Sequence, residues 1–280
     1  MRIPYAPQEV TAILLPLLES IEHQYRKGQT AIIGLQGGPG TGKTTLGNFL
    51  AEKVRERGYS VISFSIDDFY ETNEYRKRLR KKYPDNPFYY ISRGMPGTHR
   101  VEYLKEVLAK LKAGQDCSLP VFDKSLQQAQ GDIAARTIPV RGRQDFVLFE
   151  GWCLGIKPVS SPLLLKICQK YLIPLQKIDP SFRHHQVVLG FLKQYQPLWN
   201  YVDYLIMLKP DSSELHLKWR WQQERELRKK TGRGMTRVQV ERFVLPYLPF
   251  TYLCYEKVKA DVRLLINGKH EFYELVTGKI

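Results

Sequence analysis

Ala31-Ile32-Ile33-Gly34-Leu35-Gln36-Gly37-Gly38-Pro39-Gly40-Thr41-Gly42-Lys43-Thr44-Thr45-Leu46 is the stretch that decides the fold. An apolar run ends in a glycine-rich loop, and the loop opens a helical pattern. From Gly37 to Thr44 it matches GxxxxGK[ST] in full, and the flanking strand and helix are the context that makes the match specific. Glycines let backbone N–H groups converge on an anion without side-chain interference. The helix N-terminus adds partial positive charge. Gly37, Gly38, Pro39, Gly40, Thr41, Gly42, Lys43, Thr44 and Thr45 are therefore expected to cradle a nucleotide's phosphates. Lys43 is expected to reach the β- and γ-phosphates, and the Thr44 hydroxyl to hold Mg²⁺. No NKxD-type guanine-reading element occurs, so ATP is expected rather than GTP.

Outward from this loop, further short apolar runs lie at 61–66, 146–149, 204–208 and 262–266. Each reads as a strand buried on both faces of a parallel sheet. Helical patterns separate them at about 7–26, 43–57, 101–113, 183–195, 212–230 and 236–247. In the first of these, Ile13, Leu14, Leu17, Leu18 and Ile21 share a face. Alternating strands and helices predict an α/β P-loop NTPase fold: a doubly wound, mainly parallel five-stranded sheet with helices on both faces. The stretches 70–98 and 121–143 break the alternation with polar, turn-rich sequence. Loops this long are usually functional, so 70–143 is read as acceptor-binding excursions within one domain spanning 1–280. Residues 1–30 supply an N-terminal helix.

Phe146-Val147-Leu148-Phe149-Glu150 is an apolar run ending in an acid, the place where such folds organise a Mg²⁺ shell. Ser65-Ile66-Asp67-Asp68-Phe69-Tyr70 follows the second predicted strand. In open α/β sheets ligands sit outside the carboxyl ends of the strands, so Asp67 is expected on the rim that carries the loop and Glu150. A hydroxyl nucleophile needs a carboxylate within hydrogen-bond reach. Asp67 is the first choice for that base, with a share in the metal shell, and Asp68 the second. The plainer role, capping a turn, falls to whichever of the two is not the base.

With 280 residues, 43% hydrophobic and 12% aromatic, the chain can bury a large core. It contains no run of ~18 apolar residues to span a membrane, and Met1-Arg2-Ile3-Pro4 opens no signal peptide. Cys117, Cys153, Cys168 and Cys254 show no CxxC spacing, which argues against a disulfide framework or thiolate metal site and for a cytoplasmic protein. The net charge of +15 favours anionic ligands. Basic residues cluster at 76–82 and 218–237. Basic helix faces in solvent are the bland reading, and a nucleic-acid-binding protein that kept only nucleotide binding is the alternative the charge motivates. Retention of both Asp67 and Glu150 argues for catalysis.

The loop, then S-x-D-D-F-Y, then an acid ending the next central strand resembles the phosphoribulokinase, uridine kinase and pantothenate kinase superfamily. There the first Asp of the D-x-F-Y element acts as base, which the resemblance places at Asp67. Arg93-Gly94-Met95-Pro96-Gly97-Thr98-His99 resembles the R-G-x-x-G-T-H-D element of plant-type D-glycerate 3-kinases. Pro120-Val121-Phe122-Asp123-Lys124-Ser125 and Phe149-Glu150-Gly151-Trp152 resemble their P-x-[FY]-D-K-S and E-G-W elements. Trp219-Arg220 with Gln223-Glu224, Gly232 to Thr236, and Phe243 to Tyr252 are similar to their later segments. Three features depart from the pattern: Arg100 stands where the family has Asp, Ala129-Gln130-Gly131-Asp132-Ile133 lacks a Gly and an Arg, and an expected Asn is missing around 188–192.

The resemblance implies ATP- and Mg²⁺-dependent transfer to a hydroxyl of a small-molecule acceptor, with D-glycerate leading. A nucleoside, pantothenate-like alcohol or sugar phosphate is the runner-up. Asp68, Tyr70, Arg93, His99, Asp123 and Lys124 fall on the acceptor side, and Arg93 or Lys124 could pair with an acceptor anion. His99 alone reads equally well as a structural hydrogen-bonder. A lid at 212–236 would bring an arginine to the transferred phosphoryl group. Arg220 stands at the family's matching position, with Arg228 and Arg233 behind it. The sequence sets neither a monomer nor a dimer.

Overall fold

The computed structural model describes residues 5–90, 93–232 and 234–278. Its strands are β1 (Ala31–Gly37), β2 (Val61–Ser65), β3 (Cys117–Asp123), β4 (Asp132–Val140), β5 (Phe146–Gly151), β6 (Tyr204–Pro210), β7 (Val262–Ile266) and β8 (Phe272–Thr277). Its longer helices are α1 (Leu15–Glu22), α2 (Lys43–Glu56), α3 (Asn73–Lys82), α4 (Val101–Ala113), α5 (Ser161–Lys170), α6 (His184–Trp199), α7 (Glu214–Thr231), α8 (Arg237–Val244) and α9 (Leu248–Lys257). Six strands form one sheet in the order β2-β5-β1-β6-β7-β8. The five expected strands are parallel, and β8 adds an antiparallel edge on β7.

Side chains on successive residues of the central strands point to opposite faces. Ile32, Val147, Phe149 and Met207 pack into a core with Leu104 of α4, Leu164 of α5, Leu192 of α6 and Phe250 of α9. Ile33, Leu35, Phe146, Leu148, Ile206 and Leu208 pack the other face with Leu17 of α1 and Leu50 of α2. Covering both faces is what turns these strands into unbroken apolar runs. Ile13, Leu14, Leu17, Leu18 and Ile21 are all buried. Their helix begins as a turn at Pro7–Glu9 and widens to π pitch over Val10–Leu14 before α1. Pro16 at the head of α1 has no N–H to donate to the preceding turn, which favours that wider pitch.

The stretch at 121–143 differs from the expected irregular excursion: β3 and β4 form an antiparallel hairpin. Most of β4 is exposed or half-buried on both faces, so no apolar alternation marks it. The other excursion contains α3, whose run of Arg and Lys hides a single strip anchored by Leu79. Helix α9 is buried at nearly every position and carries no one-sided pattern to read.

Between α5 and α6 a buried chain of polar groups fixes the packing. Asp179 accepts from the His185 backbone N–H (2.9 Å) and pairs with His185 Nδ1 (2.7 Å), while His185 Nε2 meets Ser161 Oγ (2.8 Å). The residue types match a hydrolase triad. However, Pro162 follows the serine and supplies no backbone N–H at the position where such triads stabilise an oxyanion. Its role here is to hold two helix N-termini together.

Phe149 is fully buried, with its ring 5.1 Å from that of Phe64. Phe149→Ala should lower unfolding stability by about 3–5 kcal/mol, read from the urea midpoint, whereas Val238→Ala at a 59% exposed position should change it by less than about 0.5 kcal/mol.

Candidate active site

Register alone brings the first three groups together. Leu35 on β1 pairs with Glu150 on β5, and Glu150 pairs with Ser65 on β2. The glycine loop, Glu150 and Asp67 therefore leave the sheet at one carboxyl edge, at the point where the chain skips over β5 to place β2. A cleft of about 650 Å³ opens there, and its walls include Lys43, Thr44, Asp67, Glu150 and Arg220.

The loop's shape follows from its sequence. Gly42 caps α2 at φ +88°, a left-handed conformation that glycine adopts without strain. A Cβ on Gly38 would sit 2.4 Å from His216 Cε1 and 2.7 Å from Thr251 Cγ2, so only glycine fits between the loop and the elements behind it. Those elements hold the loop: the Tyr255 hydroxyl accepts from Gly38 N–H (2.9 Å), and His216 Nδ1 donates to the Pro39 carbonyl (2.9 Å). Thr41 Oγ1 donates to Gly38 O (2.9 Å). The Lys43 ammonium folds back on Gly37 O (2.7 Å) and Gly38 O (3.1 Å).

The two aspartates separate clearly. Asp68 Oδ2 accepts from Ser65 N–H (2.8 Å) while Ser65 Oγ accepts from Asp67 N–H (3.1 Å), which closes the turn Ile66–Phe69 on itself. Asp67 Oδ1 accepts from the Tyr70 hydroxyl (2.7 Å), and Lys124 Nζ stands 3.5 Å from Asp67 Oδ2. The Tyr70 ring stacks on His99 at 4.6 Å.

Aromatic hydroxyls and an indole pin the segment that carries Arg93. Trp152 Nε1 donates to Gly94 O (2.9 Å), Tyr247 donates to Arg93 O (3.2 Å) and Tyr89 donates to Pro96 O (2.8 Å). Tyr195 accepts from Gly97 N–H (3.1 Å), leaving its hydrogen for His99 Nδ1 (2.7 Å). Arg93 in turn reaches the carbonyls of Ala129 (3.1 Å) and Gln130 (2.6 Å).

Electrostatics differ from group to group. Burial would raise the Asp67 pKa, but Lys124, His99, the Tyr70 hydrogen bond and Lys43 together hold it below the usual carboxylate value. Burial raises Asp68 against its Ser65 bond, with Asp67 and Glu150 adding to the rise. Burial also raises Glu150, against Lys43 and Thr44, and lowers Lys43, against Glu150 and Asp67. Burial pushes His99 down to about 4 against the pull of Asp67, so its ring is neutral near pH 7.

Thr44 Oγ1 donates to Glu150 Oε1 (2.9 Å), and Glu150 Oε2 is buried without a partner. A hydroxyl beside an unsatisfied carboxylate oxygen is a hard-oxygen donor set that fits Mg²⁺. Among the described residues no group of three or more His, Cys, Asp or Glu forms a protein cage.

Of the sequence-predicted residues, Pro39, Gly40, Gly42, Lys43, Thr44, Thr45, Asp67, Asp68, Tyr70, Arg93, Lys124, Glu150 and Arg220 line the cleft. Gly37, Gly38 and Thr41 lie behind the loop in its packing. His99 is buried beneath Tyr70. Asp123 turns away to accept from Ser125 N–H (2.8 Å) and Oγ (2.6 Å). Arg228 donates to Gly234 O (2.9 Å), and Arg233 lies outside the described residues. The residues that sequence reasoning missed are the supports: Tyr255, His216 and Tyr195. No local motif marks them, because they act across the fold.

No protein-family model matches the chain. The uncharacterized kinase mug58 of Schizosaccharomyces pombe is 33% identical over 239 residues, covering 83% of this chain and 84% of that one. The chloroplastic D-glycerate 3-kinase of Arabidopsis thaliana is 32% identical over 225 residues, covering 78% of this chain but only 46% of the plant protein. The solved D-glycerate 3-kinase of Cryptococcus neoformans superposes with a TM-score of 0.82 at 29% identity, covering 97% and 98% of the two chains. Among the described residues no helix is long and apolar enough to cross a membrane.

Lys124 lowers the pKa of Asp67, Asp68 and Glu150 alike. Lys124→Met should let all three hold protons to higher pH, so the acid limb of kcat/KM should move upward. An unmoved limb in a pH-rate profile would separate Lys124 from these carboxylates.

Proposed function

This chain belongs to the family of P-loop kinases that contains these proteins, and from that premise we propose that it transfers the γ-phosphoryl group of ATP to a hydroxyl of a small hydroxy acid, with D-glycerate, giving 3-phosphoglycerate, as the first candidate. The observation that carries this reading is the position of Asp67. Its carboxylate faces the same cleft as Lys43 and Glu150, and unlike Asp68 it is not consumed by a turn cap.

In this reading the acceptor hydroxyl donates to Asp67 and lies in line with the γ-phosphorus. The new O–P bond forms as the bond to the β–γ bridging oxygen breaks, ADP leaves, and the hydroxyl proton passes to Asp67. A carboxylate held below its usual pKa is a weak base. Asp67 therefore acts mainly by orienting the nucleophile, taking the proton late, as a loose transition state allows. Tyr70 and Lys124 fix the carboxylate's direction. Lys43 exchanges its loop carbonyls for phosphate oxygens, and Arg220 on α7 approaches the transferred group, with α7 and the following turn, 212–236, acting as the lid. Thr44 and Glu150 would hold Mg²⁺, which supplies charge neutralisation at the phosphates when bound. Arg93 and Lys124 offer the acceptor's carboxylate a charged partner.

The test is ADP release by purified protein with ATP and Mg²⁺ across D-glycerate, nucleosides, pantothenate and sugar phosphates. Turnover with D-glycerate alone supports the reading, turnover with another acceptor reassigns the substrate, and turnover with none overturns the transfer. Asp67→Asn should cut kcat by about 10²–10⁴-fold and leave ATP affinity nearly unchanged. An equal loss of both would remove Asp67 from this role.

A further inference from the structure

A second cavity, of about 1160 Å³, adjoins the transfer cleft and shares Arg93, Arg220 and Phe243 with it. Arg80, Lys177 and Arg242 add to its basic lining, and among the described residues the one carboxylate there is Glu224. That carboxylate is already engaged, with Oε1 on Arg220 (2.5 Å) and Oε2 on Met235 N–H (2.8 Å). Tyr90 and Leu227 also line the cavity and are 58% and 45% exposed. Apolar side chains left open to water within one basic hollow indicate a ligand with an apolar body and an anionic group.

Of the groups assigned to phosphoryl transfer, Arg93 and Arg220 reach this lining, while Lys43, Asp67 and Glu150 do not. The cavity is also much larger than a three-carbon acid needs. We propose that this second cleft is a binding site for an organic anion with an aryl or acyl body, and that its anionic group competes for Arg220 with the terminal phosphate of ATP. The competition follows from Arg220 standing in both walls, with its guanidinium over the Phe243 ring at 4.7 Å and its Nε buried without a partner. The competition, though not the site itself, rests on the transfer reading above.

The probe is 8-anilinonaphthalene-1-sulfonate, an aryl sulfonate whose fluorescence rises in apolar surroundings. A saturable one-to-one titration is expected. The double variant Lys177→Ala/Arg242→Ala should weaken it about tenfold or more, through loss of two charge-assisted contacts. Lys157→Ala/Lys166→Ala on the exposed surface should leave it unchanged, and melting midpoints report whether each variant is folded. Mg-ATP without acceptor should weaken the probe's binding severalfold and Mg-ADP should not, because only ATP brings a γ-phosphate to Arg220.

Undiminished binding in the Lys177/Arg242 variant, or no saturable binding at all, overturns the site. Displacement by Mg-ADP places the probe in the transfer cleft and also overturns it. Equal binding with and without ATP overturns the competition. Should no acceptor support turnover, the transfer reading fails while these fluorescence results still decide the site.

Discussion

Parallel backbone pairing of β1, β5 and β2 is the constraint on which the site depends. Because Leu35, Glu150 and Ser65 lie in register, the residues that follow each strand emerge at one edge within reach of one another. No side chain has to be carried there by a long loop. A slip of one residue in β5 would turn Glu150 into a core face and bring an apolar side chain to the rim. The apolar packing on both faces of β5 is what forbids that slip. Here the hydrophobic core sets catalytic geometry as well as stability.

The glycine loop depends on a second layer. With little side chain of its own it cannot fix its shape, and Tyr255 and His216 supply the missing contacts from α9 and α7. Burial pushes the His216 pKa down to about 4, so the ring stays neutral near pH 7 and adds no positive charge beside Lys43. The same helix that presents Arg220 to the cleft thus braces the loop one turn earlier. Helix α7 and the loop are in direct contact through His216 and the Pro39 carbonyl.

The sequence made the centre of the molecule legible because its signals there are local. The loop motif, the apolar runs at 31–36 and 146–149 and the acid ending the second run each carry their meaning within a dozen residues. The sheet's parallel core followed from them. What stayed hidden has physical causes. Strand β8 closes an edge with only Phe272 fully buried, β4 is wetted on both sides, and α9 has no polar face, so none shows a clean period. Adjacent letters ranked Asp67 ahead of Asp68 without a geometric reason, and the structure adds one difference between them: the Asp68 carboxylate accepts from Ser65 N–H. His99, read as an acceptor residue, sits behind Tyr70 with its Nδ1 on the distant Tyr195 hydroxyl. Asp123, read likewise, turns to Ser125, because short polar side chains in turns satisfy local backbone groups first.

The departures from the glycerate kinase pattern can be placed physically. Arg100 stands at the N-cap position of α4 without a side-chain cap bond, and its guanidinium lies over the Tyr103 ring at 4.8 Å. Ala129 and Gln130 give their carbonyls to Arg93, and residues 127 to 129 all take positive φ, a strained run for non-glycine residues. That turn is held open by arginine, with Arg76 reaching Gln130 O at 3.0 Å from the buried side. Ala129 and Gln130 therefore lie in the wall of the basic cavity, while Arg100 lines neither cavity, and none of these departures falls on the phosphate loop, Asp67 or Glu150. The two parts of the cleft are held by different means: the loop, Asp67 and Glu150 by sheet register, and Arg93 by side chains that brace two excursions against each other.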